Sequence, residues 1–178
     1  HTSPDWTAIM ALGLPGLLAR IRESRASHAA LTEEQRDFYD AAETVYLSAI
    51  HLARRLSAEA ARLSDRYAKM KEVSLSLAHL AEGAPGTLLE ALQLSCLWYT
   101  LQHELDAVWL RSLGGLDRLL YPFYRQDLAS GRYTEEQLRE LIRYFFIRCY
   151  AKKATANTPF YLGGRDRNGA DTLNALSY

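Results

Sequence analysis

Three times the sequence sets a threonine three residues ahead of a glutamine or glutamate and then runs into a long apolar stretch: Thr32 with Gln35, Thr87 with Glu90, and Thr134 with Gln137. In this pattern the threonine hydroxyl accepts the backbone N–H three residues on. The amide or carboxylate reaches back to the threonine N–H, so two orphan donors at a helix start are satisfied together. Each box therefore opens a helix, and the three divide the 178 residues into a mainly α fold.

Behind Thr32, apolar positions run from Phe38 through Val45, Ala49, Leu56 and Leu63 to Met70 in steps of three and four. That spacing predicts one long amphipathic helix over residues 32–70, with Arg36, Asp37, Asp40, Glu43, Arg54 and Arg55 on a solvated face. The run behind Thr87, "LLEALQLSCLWYTLQHELDAVWL", is apolar on nearly all sides and is expected to be buried. Leu138, Leu141, Ile142, Phe145, Phe146 and Cys149 give the third helix a core stripe. Ahead of all three, Ser3, Pro4 and Asp5 read as a helix start, and Gly13, Pro15 and Gly16 as a break or kink before a short helix over residues 17–24.

The pattern changes at residues 158–164, "TPFYLGG", which are aromatic, apolar and closed by glycines, and predict a strand. The fold class is thus mainly α with one or few β-strands near the C-terminal end. A single strand cannot satisfy its own backbone groups, so its partners are expected outside this chain.

Lys plus Arg and Asp plus Glu each number 21, for a formal net charge of zero. A neutral chain has no electrostatic footprint for nucleic acid or an anionic membrane. No apolar run approaches the roughly 20 residues of a membrane span, and no secretory leader pattern is present, so a soluble intracellular protein is expected. The two cysteines, Cys96 and Cys149, lie in apolar helical patterns without metal-ligand spacing and read as small buried hydrophobes. His103-Glu104 begins like a zinc-protease helix, but Ala107 stands where a second histidine would be needed. Glu104 and Asp106 lie near the end of the apolar helix beside His103 and Trp109. Acids there are either held in a site or surface with the helix end. The sequence starts at His1 and stops at Tyr178 within "ADTLNALSY", which reads as a helix just begun; both ends are those expected of part of a longer chain.

The stretch "LGGLDRLLYPFYRQDLASGRYTEEQ" resembles the glycyl radical enzymes, the pyruvate formate-lyase-like family. There a Ser-x-Gly-Arg-x-Asp segment leads into a Tyr-Pro-Tyr-Tyr cluster, a glycine and a threonine-capped helix. "HTSPDWTAIMALGLPGLL" is similar to the family's Gly-His-Thr-x-x-Asp-Tyr segment, "TLLEALQL" to its Phe-x-Glu-Ala-Leu-Gln, and "LGGRDRNGADTLNALSY" to its Leu-Gly-Gly and Asn-Glu-Leu-Ser-Tyr passage. The order is the family's, over nearly the whole chain. Three segments depart. The family's Gly-Arg is Gly114-Gly115, its Asp-Gln is Asp117-Arg118, and its Glu-Ser-Asn-Gly is Glu104-Leu105-Asp106-Ala107.

The resemblance implies a ten-stranded barrel wrapped by helices at full length, of which residues 1–178 would be a single partial domain on the N-terminal side. The thiyl-forming cysteine and the radical glycine would lie elsewhere, since neither Cys96 nor Cys149 matches the thiyl position, and the segment alone would be inactive. The implied reaction is a radical lyase step, dehydration or decarboxylation, on a small polar substrate; an acyltransferase of the formate type is the alternative. Its radical would be installed by a radical-SAM activating enzyme in an anaerobic cytoplasm, with no bound metal. The partners implied are the rest of the polypeptide, that activating enzyme, a small-molecule substrate and a second copy in a homodimer.

The opening His-Thr-x-x-Asp favours the dehydratase and decarboxylase branches. There the histidine lies at the substrate, a role the resemblance carries to His1, with a substrate-side role for Asp106. As proton-transfer partners bridged by a small substrate, the two side chains should lie within about 10 Å of each other. Ser112, Phe160 and Tyr161 are the implied substrate-binding residues. The alternatives are local capping for Ser112 and Asp117, barrel packing for Phe160 and Tyr161 (only one of which can point inward), and a terminus without a role for His1. A non-catalytic helical module built on residues 32–70 is the competing reading. It should bury its apolar faces unaided, whereas a segment of a larger enzyme should leave them open.

Overall fold

The computed structural model describes residues 4–106, 112–151, 160–166 and 168–178, with residues 103–106 described by their backbone alone. Among these residues the helices are α1 Trp6–Ala26, α2 Glu33–Leu63, α3 Lys69–Leu80, α4 Leu88–Asp106, α5 Leu116–Ala129 and α6 Glu135–Ala151. Two short strands, β1 Gly114–Gly115 and β2 Phe160–Tyr161, and a 3₁₀ turn, Ala175–Ser177, complete the order. The chain is mainly helical, as its patterning predicts.

All three threonine boxes form. Thr32 Oγ1 accepts the Gln35 N–H at 3.2 Å while Gln35 Oε1 accepts the Thr32 N–H at 3.0 Å. Thr134 and Gln137 repeat the exchange at 3.3 and 2.8 Å. At Thr87 the box is reinforced, because Glu90 Oε2 accepts both the Thr87 N–H at 3.2 Å and the Gly86 N–H at 2.7 Å. The start of α4 has a further acceptor supplied by α5: Asp127 Oδ2 takes the Leu88 N–H at 2.7 Å.

The chain forms two compact units, one of Ala8–Pro85 and one that joins the residues up to Thr7 with Gly86–Tyr178. In the first, α1 kinks at Gly13, whose φ of 61° suits glycine. A Cβ there would meet the Gly83 carbonyl oxygen at 2.5 Å, so the backbone of the 83–84 turn lies directly against the kink. The expected break is thus present, but α1 starts at Trp6, after Pro4 and Asp5, rather than at the expected proline. Ser3 lies outside the described residues.

The single helix expected over residues 32–70 is instead two helices. Ser64 ends α2 by turning its hydroxyl onto the Ala61 carbonyl at 2.7 Å. The chain then doubles back, bringing Ser57 Oγ to the Ser74 carbonyl at 2.8 Å. The three-and-four spacing carries on across this turn and hides it. The buried stripe of α2 is also rotated from the expected seam: Tyr39, Ala49, Ile50, Ala53 and Ala60 are buried, while Phe38 is 66% exposed. Tyr39 shares a hydrogen bond with Ser24 at 2.9 Å, which gives its hydroxyl the partner a buried tyrosine needs.

In the second unit α4 is buried as expected: Leu88, Ala91, Leu92, Leu94, Ser95 and Leu97 are all buried. It packs on α5 and α6, whose buried apolar residues include Leu120, Tyr124, Leu138 and Phe145. The strand expected within residues 158–164 is present at Phe160–Tyr161, but its partner is not outside the chain. It pairs parallel with β1, Gly114 opposite Phe160 and Gly115 opposite Tyr161. The helices α5 and α6 supply the long crossover that a parallel pair requires.

Candidate functional site at the strand junction

Ser112 lies two residues before β1 and is buried. Its hydroxyl accepts the Gly114 N–H at 3.0 Å, and its carbonyl accepts the Trp6 indole N–H at 2.7 Å. Gly114, at φ 64°, makes the turn that allows the first of these bonds. The chain around residue 6 is thereby tied to the strand that faces Phe160 and Tyr161. Phe160 rests its ring on Phe146 with centroids 5.4 Å apart, and Tyr161 is the more exposed of the two. Three of the five residues singled out by sequence, Ser112, Phe160 and Tyr161, are thus brought to one strand pair. Asp106 is the last residue of α4, but its side chain and all of His1 lie outside the described residues, as does the expected pairing between them.

The residue that organises the junction is Asp117, which sequence reading takes as a local cap. It is 1% exposed. Its Oδ1 accepts the Arg118 N–H at 2.8 Å, the local part of the role. Its Oδ2 accepts the Gly163 N–H at 2.6 Å and a hydrogen bond from the Ser177 hydroxyl. Burial pushes the carboxyl up, but these donors and the Arg118 guanidinium outweigh it and hold it below the usual aspartate value. Each hydrogen bond to a charged acceptor contributes about 1.5–3 kcal/mol, enough for three together to offset the several kcal/mol that burying a carboxylate costs. The signals for this role are an acid in the first turn of a helix that follows Gly-Gly, and a serine sixty positions later; nothing local connects them.

Asp117 stands in the first turn of α5, where the helix dipole favours its ionised form. Beyond β2 the chain turns through Gly163 and Gly164, both in the left-handed region. The φ of 64° at Gly163 keeps that turn for glycine. The Gly164 carbonyl accepts both the N–H and the hydroxyl of Thr172 at 3.0 Å. What results is a hydrogen-bonded backbone turn beside the exposed aromatic rings of Phe160 and Tyr161.

Burial pushes the Cys149 thiol up to about 11, with the neighbouring Cys96 adding to it against Arg148. The Cys96 thiol is also raised by burial, opposed by Arg148. Both are therefore protonated near neutral pH and poor nucleophiles. Among the described residues no group of three or more His, Cys, Asp or Glu is arranged to hold a metal ion, and no helix is long and apolar enough to cross a membrane.

A family model described as pyruvate formate lyase-like matches residues 1–178. A (2S)-3-sulfopropanediol dehydratase of Klebsiella oxytoca is 26% identical over 200 residues, covering 99% of this chain and 24% of the dehydratase. The glycyl radical subunit of a 4-hydroxyphenylacetate decarboxylase from Clostridioides difficile (strain CD196) is 32% identical over 114 residues, 56% of this chain and 12% of the subunit. Among solved structures, a glycyl radical enzyme from Archaeoglobus fulgidus superposes with a TM-score of 0.85 at 22% identity, over 100% of this chain and 26% of its own. The chain spans about a quarter of the length of the two relatives that it matches from end to end.

Proposed function

The chain belongs to the pyruvate formate lyase-like family, and from that premise we propose that it is part of a glycyl radical lyase of the dehydratase type. The observation that carries the dehydratase reading is the extent of the match: the sulfopropanediol dehydratase aligns along 99% of the chain, the decarboxylase subunit along 56%. The substrate class is a small propanediol-like polyol. In this reading the remainder of the polypeptide completes a ten-stranded barrel around β1 and β2, residues 1–178 form one partial domain of it, and the whole acts as a homodimer in an anaerobic cytoplasm. A glycyl radical elsewhere in that polypeptide, installed by a radical-SAM activating enzyme, supplies the hydrogen abstraction, and the segment alone is inactive.

The chain's own residues bind and orient. Ser112, Phe160 and Tyr161 contribute to the substrate wall. Asp106 and His1 move the proton that accompanies loss of the leaving hydroxyl as water. A 1,2-diol then yields one aldehyde and one water, with no net oxidation. Support also comes from apolar surface left open, with Phe38, Leu75 and Ile147 each at least 60% exposed. Such surface fits a segment that packs against more of its own polypeptide, and it disfavours a self-contained helical module.

The test is an anaerobic assay of the activated full-length polypeptide with 1,2-propanediol, glycerol and 3-sulfopropanediol. One aldehyde formed per diol consumed is the expected result. Carbon dioxide from an arylacetate, with no aldehyde from any diol, would make it a decarboxylase, and no product from either class would overturn the lyase reading.

A further inference from the structure

Between β2 and the closing 3₁₀ turn the chain makes a loop whose two ends meet at one atom. Gly163 begins it and Ser177 ends it, and both donate to Asp117 Oδ2. Ser177 is itself fixed, since its hydroxyl accepts the Asn174 N–H at 3.0 Å. Within the loop, Asp166 Oδ1 accepts the Asn168 and Ala170 N–H groups at 2.8 and 2.9 Å, and the backbones of Arg165 and Asp171 pair in an isolated antiparallel bridge. The loop is therefore tied together by its own hydrogen bonds and anchored at both ends on Asp117. On the near side, Gly163 is two residues from Tyr161, which pairs with Gly115, two residues from Asp117 itself. The closed circuit runs from Asp117 through β1 to β2, on to Gly163 and back to Asp117.

We infer that Asp117 is the positioning residue of the site: by clamping Gly163 and Ser177 together it sets the carboxyl-terminal ends of β1 and β2, and with them Phe160 and Tyr161, in the register that turnover requires. The inference rests on the reading of this junction as part of the substrate wall. Asp117 touches no reacting group; it acts through the Gly163 backbone and the strand pair. The carboxylate is suited to this because its acceptor capacity serves donors from three segments at once. An amide in its place must turn an N–H toward at least one of those donors.

A buried residue on the same helix provides the control. Asp127 is also 1% exposed, and its carboxylate holds the Leu88 N–H of α4, away from the strand pair. Asp117→Asn, Ser177→Ala, Ser177→Thr and Asp127→Asn are to be compared in the activated full-length polypeptide by kcat, KM, melting temperature and amide exchange of the Gly163 peptide. Removing one hydrogen bond to a charged acceptor should speed exchange at Gly163 about tenfold in Ser177→Ala. It should lower kcat at least about tenfold, with KM changed far less, because misplacement by an ångström is felt mainly in the reacting geometry. Ser177→Thr, which keeps the hydroxyl, should restore both. Asp127→Asn should lower the melting temperature at least as much while leaving kcat within about twofold of wild type.

Unchanged exchange at Gly163 in Ser177→Ala, no restoration by Ser177→Thr, or an equal loss of kcat in Asp127→Asn would overturn the inference. If Asp117→Asn fails to fold, the Ser177 pair decides alone. A wild type inert toward every diol contradicts the functional reading and not the clamp, which then stands or falls on exchange at Gly163.

Discussion

Asp117 carries its charge in a place where burial opposes it, and that has a measurable consequence in acid. Its carboxyl is held below the ordinary value of 3.8 in the folded protein. A carboxylate depressed on folding adds stability that is complete above the unfolded value and is lost as pH falls through the folded one. Acid unfolding of the protein should therefore steepen below about pH 4. The Asp117→Asn variant should lose that part of the slope while keeping the rest, as read by circular dichroism along a pH titration; identical slopes would contradict the bonded, ionised carboxylate described here. Sequence reading reaches half of this residue. The bond to Arg118 is local and follows from an acid in a first helical turn, whereas Gly163 and Ser177 lie 46 and 60 positions away and leave no trace in the neighbourhood of residue 117. Phe38 and Tyr39 are a second instance. Adjacent aromatics differ by about 100° around a helix, and Tyr39, the one that turns inward, meets the Ser24 hydroxyl of another helix, a partner that the local sequence does not reveal.

At the scale of elements, what could be read was whatever the chain satisfies within four residues. The threonine boxes are of that kind, and α2, α4 and α6 begin where those boxes place them. Thr134→Ala removes the acceptor for the Gln137 N–H and should cost about 1 kcal/mol, seen as a lower urea midpoint with an unchanged slope. Thr87→Ala should cost more, because the Glu90 N–H it leaves without its acceptor is buried, and the remaining acceptors Glu90 and Asp127 serve other N–H groups. Equal losses at the two threonines would count against that difference in burial. The turn between α2 and α3 was hidden because apolar spacing runs on through it. The strand β2 was legible from its aromatic residues and bounding glycines, but its partner was not. Gly114 and Gly115 have no side chains to alternate, so a two-residue glycine strand carries no periodic signal that marks it as the partner.

At the scale of the whole molecule, the motifs that carry the resemblance are distributed from the first residues to the last, and the family match has the same extent. The junction joins several of them: Trp6 from the opening motif, Ser112 and Asp117 from the glycine-rich stretch, and Gly163 and Ser177 from the closing passage. Passages that look unrelated in sequence are thus parts of one hydrogen-bonded construction. The proposed glycyl radical of the full-length polypeptide, placed by that proposal outside these 178 residues, is open to direct test. The most direct measurement is the electron paramagnetic resonance spectrum after anaerobic incubation with a radical-SAM activating enzyme, a reductant and S-adenosylmethionine. The account predicts a glycyl doublet from the full-length polypeptide and silence from residues 1–178 alone. A doublet from the segment, or a silent full-length polypeptide under conditions that activate the Klebsiella oxytoca dehydratase, would contradict it.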